Sequence, residues 1–315
     1  MKVAITGISG YLGQLIARKL QSDPAVDSIL GLDLVGPSFH FTKMSFEYAD
    51  VRSADFEKLL EGIDAVYHLA FVVTAPKDLT MAQIDRINID GSRRVFEGAI
   101  RAGVNKIVYS SSIAAYGAHW DNPAQITEDS ALRPNKNWYY SRTKGEVELI
   151  LDELQKKHPE TIVIRFRPGI FIGPTSNNQL KNLISARWLI CLTKGLAFGL
   201  SWDSDVCDAF HLALNHGQSD IFNLAGDGTL TIEKISALID KKILHLKLDW
   251  LLPLAKLAAY LHLIAPGQVD WLNVGMRYPI NVSAARAKEK LGWQPRFDST
   301  QALLEYCSCL GLIDN

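Results

Sequence analysis

Tyr140 and Lys144 stand four residues apart in the run Trp138-Tyr139-Tyr140-Ser141-Arg142-Thr143-Lys144-Gly145-Glu146. In a helix that spacing puts both side chains on one face, whereas Tyr139, five residues from Lys144, points elsewhere. A tyrosine ordinarily titrates near pH ~10, so exchanging protons at neutral pH needs about 4 kcal/mol in favour of the ionised phenol. A lysine charge ~5 Å away, at an effective dielectric of ~20, supplies about 3 kcal/mol of that. The pair therefore reads as a general acid/base with Tyr140 as its proton carrier. A second cluster lifts it above a chance Tyr-x-x-x-Lys. The strand-like Lys106-Ile107-Val108-Tyr109 runs into Ser110, Ser111 and Ser112, poor core residues but well placed to hydrogen-bond a ligand. A capping or turn cluster is their plainer alternative.

The other chemical signal is a glycine turn. Thr6-Gly7-Ile8-Ser9-Gly10-Tyr11-Leu12-Gly13 follows the first strand-like run and opens a helix-like one. Its Gly-x-x-Gly-x-x-Gly spacing is one residue longer than the usual dinucleotide fingerprint. Glycines there let the backbone turn sharply, approach a pyrophosphate and pack the helix on the strand, while the helix N-terminus offers free N–H groups. Asp33 ends the second strand, 20 positions beyond Gly13. A carboxylate at that place accepts hydrogen bonds from an adenosine ribose and repels a 2′-phosphate. Leu34-Val35-Gly36 brings no Arg or Lys to neutralise one, so the expected cofactor is NAD rather than NADP. The alternative is a solvated acid at a strand end.

These residues need a frame. Val3–Thr6, Ser28–Asp33, Ala65–Ala70, Lys106–Ser111 and Thr161–Arg167 read as buried strands, and Leu12–Gln21, Ala54–Glu61, Ile84–Ala102 and Tyr139–Lys157 as helices. Strand–helix alternation predicts an α/β, Rossmann-type doubly wound parallel sheet with helices on both faces. The rhythm breaks after Arg167, at Pro168-Gly169 and Gly173-Pro174. Residues 1–167 are expected to form the nucleotide-binding domain, with 205–226 rejoining it through a strand at Asp220–Ala225. Residues 168–204 and 227–315 are expected to form a smaller C-terminal substrate-binding lobe over the sheet edge where such folds bind ligands. The apolar Leu251–Pro266 segment is shorter than the ~20 residues of a membrane span and contains Pro253, Lys256 and His262; it reads as a buried or lid-forming helix.

Taken together, the residues resemble the extended short-chain dehydrogenase/reductase superfamily, in its NAD-dependent epimerase/dehydratase group. The resemblance extends through Ala49-Asp50-Val51, His68-Leu69-Ala70, Asn88-Ile89-Asp90-Gly91, Arg167-Pro168-Gly169 and Leu291-Gly292-Trp293-Gln294-Pro295, nearly the whole chain. It implies that Asp50 and Val51 hold the adenine, and that Leu69, Ala70 and Phe71 line the cofactor towards the nicotinamide. Tyr11, Leu12, Ser110, Pro168 and Ile170 complete that cofactor set with the turn glycines and Asp33. Ser112 corresponds to the serine that bonds the reacting oxygen, Tyr140 to the acid/base and Lys144 to the lysine that also contacts the nicotinamide ribose. Asn88 resembles the asparagine beside the active site, with helix capping as its alternative. The family commonly pairs into homodimers through helices corresponding to Ile84–Ala102 and Tyr139–Lys157.

The implied chemistry is reversible hydride transfer between a secondary alcohol and nicotinamide. Two departures bear on the substrate. Ile170 stands where nucleotide-sugar members commonly carry asparagine, and Ile113-Ala114 where dehydratases carry an Asp-Glu pair. Trp188, Leu189, Ile190, Phe198, Trp202, Trp250, Leu251 and Tyr260 make the distal region apolar; if they line the cleft rather than a core, they favour a mainly apolar alcohol or ketone. The alternatives are a nucleotide-sugar epimerase that oxidises its substrate transiently and, in another class, a regulator that senses NAD without turning it over. A sensor needs no Ser112, Tyr140 and Lys144.

Composition narrows the classes further. Among 315 residues, 33 Lys and Arg nearly cancel 34 Asp and Glu, which gives no global attraction to nucleic acid or an anionic membrane and leaves only a local patch open. Cys191, Cys207, Cys307 and Cys309 lack disulfide-framework or metal spacing and read as reduced thiols of a cytoplasmic protein. Gly7 interrupts the N-terminal apolar residues, so no signal-peptide core is expected. His68 reads as a hydrogen-bonded interior histidine, and His119 and Trp120 as loop residues outside the catalytic set. No metal site is expected.

Overall fold

Val66, Tyr67, Val163 and Ile164 are buried on strands whose two faces are both covered, the environment that parallel strands occupy. The computed structural model describes residues 1–76, 79–261, 263–264 and 266–313. In chain order the elements are β1 Lys2–Thr6, α1 Tyr11–Gln21, β2 Ser28–Asp33, β3 Met44–Tyr48, α2 Phe56–Leu59, β4 Ala65–His68, α3 Met81–Asp85, α4 Gly91–Arg101, β5 Lys106–Ser110, α5 Tyr139–Lys157 and β6 Ile162–Pro168. There follow β7 Ile170–Ile172, α6 Gln179–Ser185, β8 Leu189–Cys191, β9 Leu200–Trp202, α7 Asp203–Leu212, β10 Asp220–Leu224, α8 Ile232–Ile239, β11 Ile243–His245, α9 Leu248–Tyr260, α10 Pro266–Val274, α11 Ala285–Lys290 and α12 Ser299–Cys309.

The central sheet has seven parallel strands in the order β10-β6-β5-β4-β1-β2-β3. Its strand order reverses between β1 and β4, where Thr6 lies beside His68. Such a switch point opens a crevice at the carboxyl ends of the strands. Alternate residues of β1 face opposite layers, as the two-residue strand period demands. Val3 and Ile5 pack with Ile16, Leu20, Phe210 and Trp293, while Ala4 packs with Val95, Phe96, Val147 and Leu151.

β3 is absent from the sequence reading. It is an edge strand with Ser45, Glu47 and Tyr48 exposed, so its residues show no buried apolar run. The helix expected over Ile84–Ala102 is interrupted by a turn of π-helix at Arg86–Asp90, and the one expected over Ala54–Glu61 shrinks to α2. β10 lies next to β6 in the sheet. Beyond it, β7 pairs with β9 and β8 with β11 around a separate core of Ile172, Leu189, Trp202, Ile235 and Tyr306. The C-terminal motif ties back to the sheet: the buried Trp293 donates its indole N–H to Asp205 O (2.6 Å), and the Arg296 N–H reaches the Asp205 carboxylate (3.0 Å). Among the described residues no helix is long and apolar enough to cross a membrane.

Candidate active site

The glycine turn stands at the switch point and requires bare backbone. Gly7 has φ +73°, and a Cβ there would lie 2.6 Å from Ala70 N. A Cβ on Gly13 would lie 2.3 Å from Gly7 O, so the start of α1 sits directly on the turn. Gly10 is the N-cap and supplies no side chain of its own. Asp33 accepts hydrogen bonds from Ser9 N–H (3.0 Å) and Leu34 N–H (2.7 Å), which aim its carboxylate beside this turn. Leu12 packs against the sheet core. Tyr11 has a partner that the sequence did not suggest: its hydroxyl donates to Asp203 Oδ2 (2.5 Å) at the start of α7, and its ring stacks on Phe171.

Behind the turn runs a buried polar chain. His68 Nδ1 is 2.7 Å from Thr6 Oγ1, and its Nε2 is 2.9 Å from Ser92 Oγ. Ser92 gives its proton to the Asn88 carbonyl (2.5 Å), so His68 carries its proton on Nε2 and accepts from Thr6 on Nδ1. Burial, assisted by the Lys144 charge, pushes the imidazole down to about 3 and keeps it neutral. Asn88 lies within the π turn, where irregular helix often marks a functional region. It is no helix cap: its amide clasps Val72 from both sides, accepting from Val72 N–H (2.8 Å) and donating to Val72 O (3.1 Å). That clasp holds the adjoining stretch Leu69-Ala70-Phe71 at the sheet edge. Gly91 lets α4 approach Val51, whose Cγ2 a Cβ would meet at 2.6 Å. Asp50 is gripped by Arg52, whose hydrogen bonds hold its carboxyl below the usual range.

Ser112, Tyr140 and Lys144 converge across the gap between β5 and α5. Ser112 accepts from Ala114 N–H (3.1 Å), capping the short 3₁₀ turn Ile113–Tyr116, and its hydroxyl is near enough to the Tyr140 phenol to favour the ionised form. Lys144 Nζ donates to Ser110 O (2.7 Å) and Tyr109 OH (3.3 Å). It stands 3.5 Å from the centroid of the Phe71 ring and 5.8 Å from that of Tyr140.

The electrostatics correct one expectation. Burial raises the Tyr140 phenol above its ordinary value, and the Ser112 hydrogen bond only partly opposes this. Burial also pushes the Lys144 ammonium well down, against the pull of Glu148. Burial dominates both groups, and the Lys144 ammonium is directed at Ser110 O and the Phe71 face. Tyr139 plays a different part. Its phenol donates to Val73 O, and Gly267 of α10 packs so closely that a Cβ would come 2.6 Å from its ring.

Glu148, one turn beyond Lys144, escaped the sequence reading, although the same four-residue step could have marked it. It is fully buried and receives Arg167 Nε on Oε1 (2.8 Å), Arg167 Nη2 on Oε2 (3.0 Å) and Arg165 Nη1 on Oε2 (3.2 Å). Burial would raise its carboxyl, but Arg167, then Arg165, hold it at about 2. Arg167 also donates to Tyr116 OH (2.8 Å), which donates to Asn223 (2.8 Å), so α5, β6 and β10 are locked together. Pro168 is buried at the end of β6, and Ile170 is partly exposed on β7.

The distal apolar residues divide between the lobe's own core and the surface. Leu189, Phe198 and Trp202 pack into the lobe's own core, while Trp188, Ile190, Trp250 and Tyr260 face solvent. His119 bonds Arg133 O, and Trp120 is exposed. Among the described residues no group of His, Cys, Asp and Glu is placed to hold a metal ion.

The sequence model of the NAD dependent epimerase/dehydratase family matches residues 3–225. An uncharacterised protein of Mycobacterium tuberculosis is 22% identical, over 98% of this chain and 84% of its own length. The N-acetyl-alpha-D-glucosaminyl-diphospho-ditrans,octacis-undecaprenol 4-epimerase of Escherichia coli O157:H7 is 28% identical, over 58% of this chain and 52% of its own length. The structure of UDP-glucuronic acid 4-epimerase from Bacillus cereus in complex with NAD shares the fold, with a TM-score of 0.76 across the whole of both chains at 18% identity.

Proposed function

The chain belongs to the NAD-dependent epimerase/dehydratase family, and we propose that it acts as an epimerase, transiently oxidising a secondary alcohol on a diphosphate-linked sugar. The observation that carries this reading is the meeting of Ser112, Tyr140 and Lys144 at the sheet edge that also holds the glycine turn. The residues fit NAD: the turn cannot hold a side chain at Gly7 or Gly13, and Asp33 offers a carboxylate beside it. Gly7, Gly13 and Asp33 would hold NAD, which would supply reversible hydride acceptance from the alcohol carbon.

Tyr140 would remove the hydroxyl proton as the carbon is oxidised and restore it on reduction. Ser112, beside the Tyr140 phenol, would steady the oxygen as its charge changes. Lys144 would hold the ribose side of the cofactor from its anchor on Ser110 O, while Gly7, Gly10, Gly13, Tyr11 and Leu12 form the phosphate end. Asn88 acts through Val72, keeping Leu69, Ala70 and Phe71 against the cofactor. Asp50 reaches the adenine only alongside Arg52, and Val51, Pro168 and Ile170 contribute packing surface.

Two features support epimerisation. Ile113 and Ala114 follow Ser112, so no carboxylate stands there to drive an elimination. A relative is named as an N-acetyl-alpha-D-glucosaminyl-diphospho-ditrans,octacis-undecaprenol 4-epimerase. Residues 1–167 with 205–226 would bind the dinucleotide, and 168–204 with 227–315 the sugar. A homodimer through the outer faces of α4 and α5, where Leu149 is exposed, and a cytoplasmic location suited to four unpaired cysteines belong to the same reading.

The test is a panel of UDP-sugars, polyprenyl-diphosphate sugars, sugar acids and apolar secondary alcohols, followed by proton NMR and by absorbance of NADH. The expected result is inversion of one sugar carbon without net NADH. Turnover confined to apolar alcohols with stoichiometric NADH would refute it.

A further inference from the structure

Helix α9 is apolar apart from Asp249 and Lys256, yet only part of its apolar surface is covered. Leu248, Leu252 and Ala255 are buried against the molecule. Trp250, Leu254, Leu257 and Leu261 follow at steps of four, three and four residues along the outer side and into its C-cap. They are 74%, 63%, 53% and 55% exposed. A contiguous exposed apolar stripe marks a contact surface.

The charges beside the stripe indicate what covers it. On the helical wheel Lys247 falls along one border, and Lys256 lies beyond Tyr260 and Asp249 on the other side, with Lys247 Nζ 5.2 Å from the Trp250 ring centroid. Neither lysine is ion-paired among the described residues, whereas the outer acid Asp249 is neutralised by Arg277 (2.5 Å). An apolar stripe carrying Trp and Tyr between unpaired lysines matches a helix lying in a membrane surface, with ammonium groups at the lipid phosphates.

We propose that α9 seats this chain on an anionic lipid surface, the helix lying in the headgroup plane. Its thirteen residues are too few to span a bilayer, so the attachment is peripheral. α9 packs against α10, and α10 rests through Gly267 on Tyr139, the neighbour of Tyr140. Docking would therefore bring the mouth of the site close to the membrane. The inference stands independently of the substrate proposed above.

Co-flotation of the full chain with vesicles of phosphatidylcholine, with or without phosphatidylglycerol, tests it. The wild type should float with the anionic vesicles. Lys247→Gln and Lys256→Gln should each weaken that binding about fivefold. Leu254→Ser combined with Leu257→Ser should leave the chain in the soluble fraction, with its melting temperature and calorimetric NAD binding retained. Failure of the wild type to float, or flotation of the double serine variant as well as wild type, would overturn the proposal. So would light scattering that shows a dimer converted to monomer by the serine pair, because the stripe would then be a contact between copies.

Discussion

Replacing Glu148 with glutamine should cost this protein a large part of its stability. The carboxylate is fully buried and takes three hydrogen bonds from two guanidinium groups, themselves almost inaccessible. Glutamine keeps one acceptor oxygen and presents an amide N–H to an arginine that can only donate. Removing one partner of a buried pair typically costs about 3–5 kcal/mol. The titration gives a second route to the magnitude. A carboxyl held at about 2 rather than 4.5 contributes roughly 3 kcal/mol at neutral pH, at about 1.4 kcal/mol per pH unit. Its folded value lies below its unfolded one, so this stabilisation is complete above 4.5 and fades as the pH falls towards 2. Urea unfolding of Glu148→Gln at neutral pH should show the loss, and the variant should lack that component of the wild-type acid slope. Glu146→Gln, which removes an exposed partner of Arg142, is the control and should cost less than about 1 kcal/mol. A loss at Glu148 as small as that of the control would refute the reasoning.

Tyr140→Phe should lower turnover by about 10²–10⁴ while calorimetric NAD binding persists; near-normal turnover would remove Tyr140 from the chemistry. Gly7→Ala must force a Cβ to 2.6 Å from Ala70 N at φ +73°. It should destabilise the chain by about 1–3 kcal/mol and weaken NAD binding, and wild-type melting with wild-type affinity would contradict this. Asp33→Ser removes a carboxylate placed to accept from the ribose, so NAD affinity should fall by roughly tenfold or more while NADP affinity rises. An unchanged preference in titrations with both dinucleotides would count against that placement. His68, held at about 3 by burial and then by Lys144, should show no ring titration by NMR between about pH 7 and 5. Because its folded value lies below the usual 6.5, the neutral ring's contribution is complete above 6.5 and declines as the pH falls towards 3. Titration of the folded protein near 6.5 would mean that the ring is not enclosed between Thr6 and Ser92.

Much of the frame was legible because it depends on local spacing. Buried β-branched runs reported β1, β2, β4, β5 and β6, and the three- and four-residue period reported α1 and α5. The glycine turn declared itself because its backbone allows no Cβ at Gly7 or Gly13. β3 did not, since an edge strand buries too little to leave a pattern. The π turn at Arg86–Asp90 likewise leaves the helical period almost intact.

The amino-acid order by itself determined the strand–turn–helix at Gly7, the shared face of Tyr140 and Lys144, and the serines at the end of β5, since each is a short-range consequence of backbone geometry. Only the tertiary structure decided where their charges and protons go. It directed Lys144 to Ser110 O and beneath Phe71, joined Glu148 to Arg165 and Arg167, and brought Tyr11 to Asp203, which lies 192 residues away. It also turned the outer face of α9 to solvent. Such partnerships depend on sheet register and on which surfaces are excluded from water, and neither is encoded in the spacing of neighbouring residues.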